Sequence, residues 1–125
     1  MKSHIFNFQI AWADTDAGGI VYHARYIEIA ERARMNMFAD VKDPDGGFVM
    51  RDLSIKYLKP LCVSDKIQVE TIFEGHTAVS LKIKHRFLKD GAEHAVMTGT
   101  VVYVGKDLKP ARILDVWRKY LSKYN

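Results

Sequence analysis

Cysteine is almost absent from this chain: Cys62 stands alone among 125 residues. One thiol cannot close an internal disulfide, and no CxxC pair or other recognised spacing offers a metal site. No Cys/His signature accompanies Cys62, so it reads as a small buried or half-buried apolar residue rather than a nucleophile. Long hydrophobic runs are missing too. No segment approaches the roughly 20 apolar residues of a membrane span, so no stable membrane insertion is expected. Met1-Lys2-Ser3-His4 leads straight into alternating residues without the apolar segment of a signal peptide, which points to the cytoplasm. The absence of GxSxG argues against a serine hydrolase of the α/β type. Neither a P-loop nor GxGxxG is present to cradle phosphates, and nothing calls for a metal or other cofactor. Charge of one sign is only modestly in excess. Lys and Arg outnumber Asp and Glu by 19 to 15, giving +4 and a pI near 9.2. That balance favours an anionic partner. With no helix-turn-helix, no RNA-binding aromatic motif and no dense basic run, a small phosphorylated ligand fits it better than nucleic acid.

What is present fits one domain, residues 1–125. A chain this small buries about two-thirds of its unfolded surface, so association would add useful burial. Phe6, Phe8, Ile10 and Trp12 alternate with Asn7, Gln9 and Ala11, the period of a half-buried strand. From about Val21 to Phe38 the period changes. Tyr22, Tyr26, Ile29, Ala30, Ala33 and Met37 recur at helical steps and predict one long helix, with Glu28, Glu31, Arg32 and Arg34 able to pair beside the stripe. Asp43-Pro44-Asp45-Gly46-Gly47 reads as a loop. Three further alternating sets follow: Leu53 to Tyr57, Ile67 to Phe73, and Val79, Leu81, Ile83, His85 and Phe87. Asp90-Gly91 signals a hairpin into a return strand from about Glu93 to Val104. Ile113, Leu114, Trp117 and Leu121 suggest a short C-terminal helix. Short links between consecutive strands favour antiparallel pairing, giving an α+β domain with a curved sheet around one central helix.

The segment richest in chemistry is DTDAGGIVYHARY, Asp14 to Tyr26. It joins two carboxylates, a glycine turn, a histidine and a helix start. Free N–H groups at a helix start stabilise negative charge. A nearby carboxylate can attack a carbonyl or activate water, and those N–H groups can hold the oxyanion that develops. Asp and Gly before a helix also serve simply as cap and turn, and on spacing alone that simpler reading stands ahead. His23 alone reads more readily as a cap or a hydrogen-bonded structural residue than as an acid or base. Asp14, Asp16 and His23 match no metal-ligand spacing.

The run AWADTDAGGIVYHARYIEIAERAR resembles the signature of the 4-hydroxybenzoyl-CoA thioesterase group of hotdog proteins. It is most similar to the bacterial acyl-CoA thioesterases associated with the Tol-Pal system. The layout of strand, helix, later strands and short tail agrees over nearly all of the chain. The resemblance implies a hotdog fold and hydrolysis of acyl-CoA to a carboxylic acid and free CoA, without metal or redox cofactor. It makes Asp16 the nucleophile or general base and leaves Asp14 to support the turn. A backbone N–H near His23 would polarise the carbonyl, and the His23 side chain would orient substrate or water. Tyr22 and Tyr26 would line the acyl pocket, though helix packing suits Tyr26 equally. Lys56 and Lys59 are candidates for CoA phosphates, as are Lys82, Lys84 and Arg86, each of which also reads as part of a solvated sheet face. The group pairs into homodimers with sites at the interface, and a homotetramer is common. A non-catalytic acyl-CoA or acyl-carrier binder is the alternative, and a hydratase stands behind it because its local motifs differ.

Overall fold

The computed structural model describes residues 2–124. Five strands and two helices follow in the order β1 (His4–Gln9), α1 (Arg25–Met37), β2 (Gly47–Tyr57), β3 (Lys66–His76), β4 (Ser80–Lys89), β5 (Ala92–Val104) and α2 (Asp115–Ser122). The strands form one antiparallel sheet in the order β1-β3-β4-β5-β2. The β4–β5 turn has Asp90 at φ 51° and Gly91 at φ 79°, the paired left-handed residues of a type I′ hairpin. One pairing departs from the expectation for chain neighbours. β2 does not pair with β3 but crosses to the far edge beside β5, where Tyr57 opposes Ala95. The connection from Leu58 to Asp65 is long enough to make that move.

The alternation in the strands decides what α1 covers. Phe6, Val69, Phe87, Ala95 and Tyr57 stand in register across all five strands. Tyr26, Ile29, Ala30 and Ala33 of α1 are buried against this side with Val69, Phe87 and Ala95. A second cluster joins the end of α1 to α2, with Met37, Phe73, Ile83, Tyr103, Trp117 and Leu121 buried together.

Four residues differ from their sequence expectation for identifiable reasons. Trp12 is 75% exposed, because the chain leaves the strand after Gln9 and makes a tight turn over Trp12–Asp14. Tyr22 lies outside α1 and is exposed, in the loop whose backbone its N–H ties to the Asp14 carbonyl. Val79 precedes β4 and is exposed. Cys62 is exposed rather than buried, at the start of a turn that Asp65 closes by accepting the Cys62 N–H.

Candidate functional site

The loop from Asp14 to Tyr22 is a small hydrogen-bonded platform. Asp16 N–H donates to the Ile20 carbonyl at 2.9 Å, and Gly19 N–H returns to the Asp16 carbonyl at 3.0 Å. Gly19 sits at φ 79°, where a side chain would be strained. Val21 N–H donates to Leu61 at 2.8 Å, docking the loop on the segment that leaves β2. Because the bridges from Ile20 to Cys62 and from Val21 to Thr15 hold this stretch extended, the helix starts at Arg25 rather than Val21.

The two aspartates of this loop have different fates. Asp14 is buried, and its Oδ2 accepts the Ala11 N–H at 2.8 Å. Its Oδ1 faces Arg25 Nε at 3.6 Å, while Arg25 Nη2 donates to the Ala13 carbonyl at 2.8 Å. Asp14 is thus tied to the backbone and to the first turn of α1. Asp16 is exposed. Its Oδ1 accepts the Gly18 N–H at 2.8 Å, which fixes the carboxylate while Oδ2 has no protein donor among the described residues.

Asp16 lines a cleft of about 400 Å³ with His23, Tyr26, Tyr57, Leu58 and Lys59. His23 and Ala24 lie between the loop and α1. Among the described residues their N–H groups have no protein acceptor, as the start of a helix leaves its first donors free. The Tyr57 hydroxyl donates to the His23 carbonyl at 2.6 Å. That bond fixes the peptide whose other side carries the Ala24 N–H. Tyr26 packs edge-on against both Tyr57 and Phe87, with ring centroids 5.2 Å apart in each case. Burial, aided by Tyr57 and Cys62, pushes its hydroxyl up to about 12, so Tyr26 is a neutral wall at physiological pH.

Of the residues singled out in the sequence, Asp16, His23, Tyr26 and Lys59 meet at this cleft. Tyr22 does not line it; its ring lies against His23 with centroids 4.4 Å apart. Lys56 is exposed on β2 and does not line the cleft either. Arg86 is engaged elsewhere, with Glu70 and Glu93 each 2.6 Å away. Tyr57 and Leu58 complete the cleft from more than 30 residues downstream. In the sequence alternation this stretch reads as a strand end interrupted by Lys59-Pro60.

Among the described residues, no group of three or more His, Cys, Asp or Glu side chains is placed to hold a metal ion. The cleft joins a half-free carboxylate to His23, the residue at the start of α1 whose N–H is free, a combination suited to attack on a carbonyl whose oxygen becomes negative.

The sequence of residues 10–120 matches the family profile described as the thioesterase-like superfamily. The chain belongs to that superfamily. A curated relative, acyl-CoA thioester hydrolase YbgC of Escherichia coli O157:H7, is 29% identical over 113 residues, covering 83% of each chain. Among solved structures, a DHNA-CoA thioesterase from Staphylococcus aureus aligns with TM-score 0.88 at 21% identity, covering 98% of this chain and 91% of that one. Slr0204, a 1,4-dihydroxy-2-naphthoyl-CoA thioesterase from Synechocystis, aligns with TM-score 0.86 at 16% identity, covering 97% and 96%. At those identities the two structures speak for the fold, an α+β hotdog domain.

Proposed function

We propose that this protein is an acyl-CoA thioesterase, hydrolysing an acyl-CoA to a carboxylic acid and free CoA with Asp16 as the central residue. The observation that carries this reading is the Asp16 carboxylate sharing a cleft with the start of α1, where the N–H groups of His23 and Ala24 are free. A thioester carbonyl resting on those donors would have its oxyanion stabilised as the tetrahedral intermediate forms. Asp16 would either take a proton from the attacking water or attack the carbonyl itself, forming a mixed anhydride that water then opens. In both routes water supplies the acid's new oxygen and the thiolate leaves as CoA. His23 would orient substrate or water, and Tyr22 and Tyr26 would bound the acyl group. Lys59, with Lys56 further along β2, would meet CoA phosphates. The relative named acyl-CoA thioester hydrolase supports the substrate class.

The whole chain, residues 1–125, would act as one domain in which the sheet curves around α1 as its central helix. Two copies would complete each site, and two such dimers would form a homotetramer. Exposed Ile20, Tyr57 and Leu58 beside the cleft, and the unpaired edge of β2, support such pairing. Among the described residues no helix is long and apolar enough to cross a membrane. A cytoplasmic location is proposed as the sequence suggested it, and association with the Tol-Pal system rests on the motif resemblance.

The test is release of free thiol from a panel of short-chain, long-chain and aromatic acyl-CoAs. Hydrolysis of any of them supports the enzyme. A panel that binds but releases no thiol would replace it with a non-catalytic acyl-CoA binder.

A further inference from the structure

The start of α1 breaks two ordinary rules of helices. Its N-cap residue is Ala24, which makes no side-chain bond to the first turn, and its first residue is Arg25. Ser, Thr, Asp or Asn is the usual cap, and each would set its own oxygen at the helix start. A cation suits the opposite end, because the N-terminus already carries partial positive charge. Neither choice stabilises α1, and departures from local preference gather at functional sites.

The bonds of Arg25 show what this arrangement does. Its Nη2 donates to the Ala13 carbonyl at 2.8 Å. Nε stands 3.6 Å from Asp14 Oδ1, and Nη1 donates to Glu28 within the helix. One planar fork thus joins the Trp12–Asp14 turn to the first turn of α1. Among the described residues no other α1 side chain bonds to that turn. The bonds from Asp16 to Ile20 and from Gly19 to Asp16 shape the loop without fixing it to the helix. The backbone adds one link, from Tyr22 N–H to the Asp14 carbonyl at 2.9 Å, and Arg25 reinforces it. Asp16 follows one end of the fork closely, and His23 just precedes the other. The two sides of the Asp16 cleft are therefore held through this guanidinium. It brings no acceptor to the helix start, so the His23 N–H stays free for a substrate oxygen.

We propose that Arg25 is a positioning residue, a clasp that sets the Asp16 carboxylate against the start of α1 in place of a helix cap. Misplacing reacting groups by about 1 Å can cost about a hundredfold in rate. The cleft walls that bind substrate do not depend on the clasp, so its loss falls on kcat rather than KM. That effect on rate rests on the thioesterase reading, whereas the fastening itself does not.

The experiment compares Arg25→Gln, Arg25→Lys and Arg32→Gln with wild type, by acyl-CoA thiol release and by amide hydrogen exchange at Tyr22. Gln keeps the helix propensity but is too short to join both turns. Lys keeps the charge with one nitrogen in place of the fork. Arg32→Gln removes the same charge from exposed α1 surface about two turns further along. Arg25→Gln should lower kcat by about ten- to a hundredfold with KM within about twofold of wild type. Exchange at the Tyr22 N–H should quicken about fivefold or more. Arg25→Lys should regain only part of both, and Arg32→Gln should match wild type. Unchanged kcat in Arg25→Gln, or an equal loss in Arg32→Gln, overturns the proposal. Should Arg25→Gln fail to fold, Arg25→Lys decides, because wild-type kcat and exchange there also overturn it. If wild type releases no thiol, the thioesterase reading fails by itself, and Tyr22 exchange still decides the clasp.

Discussion

Two loops flank α1, and each is built from two aspartates and a pair of glycines. Asp14-Thr15-Asp16-Ala17-Gly18-Gly19 leads toward the helix, and Asp43-Pro44-Asp45-Gly46-Gly47 leads from it into β2. In the second loop the carboxylate is saturated. Asp43 accepts from the Tyr103 hydroxyl, from Trp117 Nε1 at 2.8 Å and from Gly46 N–H at 3.0 Å, which ties the loop to β5 and α2. Gly46 runs so close to the Tyr103 hydroxyl that no side chain fits there. In the first loop Asp14 plays the equivalent anchoring part, and Asp16 has a single donor and faces a cleft. The same residue types thus make a fastening in one place and leave a carboxylate for chemistry in the other. What differs is the number of donors that the rest of the fold brings to each carboxylate.

The contrast can be broken or sharpened by substitution. Asp16→Asn should lower the turnover rate by two to four orders of magnitude, roughly the contribution of one acid-base group, with an unchanged melting temperature. Asp43→Ala should act the other way, costing about 2–4 kcal/mol in chemical denaturation because it strands buried donors, while the rate per folded molecule stays near wild type. Acid should reproduce part of that loss. Burial raises the Asp43 pKa, but the hydrogen bonds from Tyr103, Trp117 and the Gly46 and Asp45 backbone outweigh it and hold the carboxyl below its usual 3.8. A depressed folded pKa gives stability that is present above the unfolded value and lost as pH falls through the folded one. The gap in denaturation midpoint between wild type and Asp43→Asn should therefore narrow below about pH 4.

Tyr57→Phe removes the bond to the His23 carbonyl and should reduce kcat about five- to tenfold, as losing one hydrogen bond of about 1 kcal/mol would, with less effect on KM. Asp14→Asn should give the smallest change. Its contact with partly exposed Arg25 is worth less than about 1 kcal/mol, and thermal melting should show only that much.

The sequence carries the strands well because their alternation and the Asp90-Gly91 turn are local properties. It also places Asp16 and His23 together, since only a short loop lies between them. Its failures share one cause, which is partners distant in the chain. The bridge to Cys62 holds Ile20 extended and delays the start of α1, and Ala95 opposes Tyr57 and sends β2 to the far edge. His85 reads as one more inward position of an alternating strand. Its bond to Thr71, and its hold on Arg34 from 51 residues away, come only with the packed sheet and helix. The likeness of the two Asp-Gly loops is the sharpest case, because their different roles depend on Tyr103 and Trp117, which lie at least 60 residues from Asp43.

The most direct measurement sets Asp16→Asn beside Asp43→Asn, recording acyl-CoA thiol release and thermal melting on the same preparations. The account predicts that the first variant keeps its melting temperature and loses its rate, while the second melts early and keeps its rate per folded molecule. Full turnover by folded Asp16→Asn would contradict it.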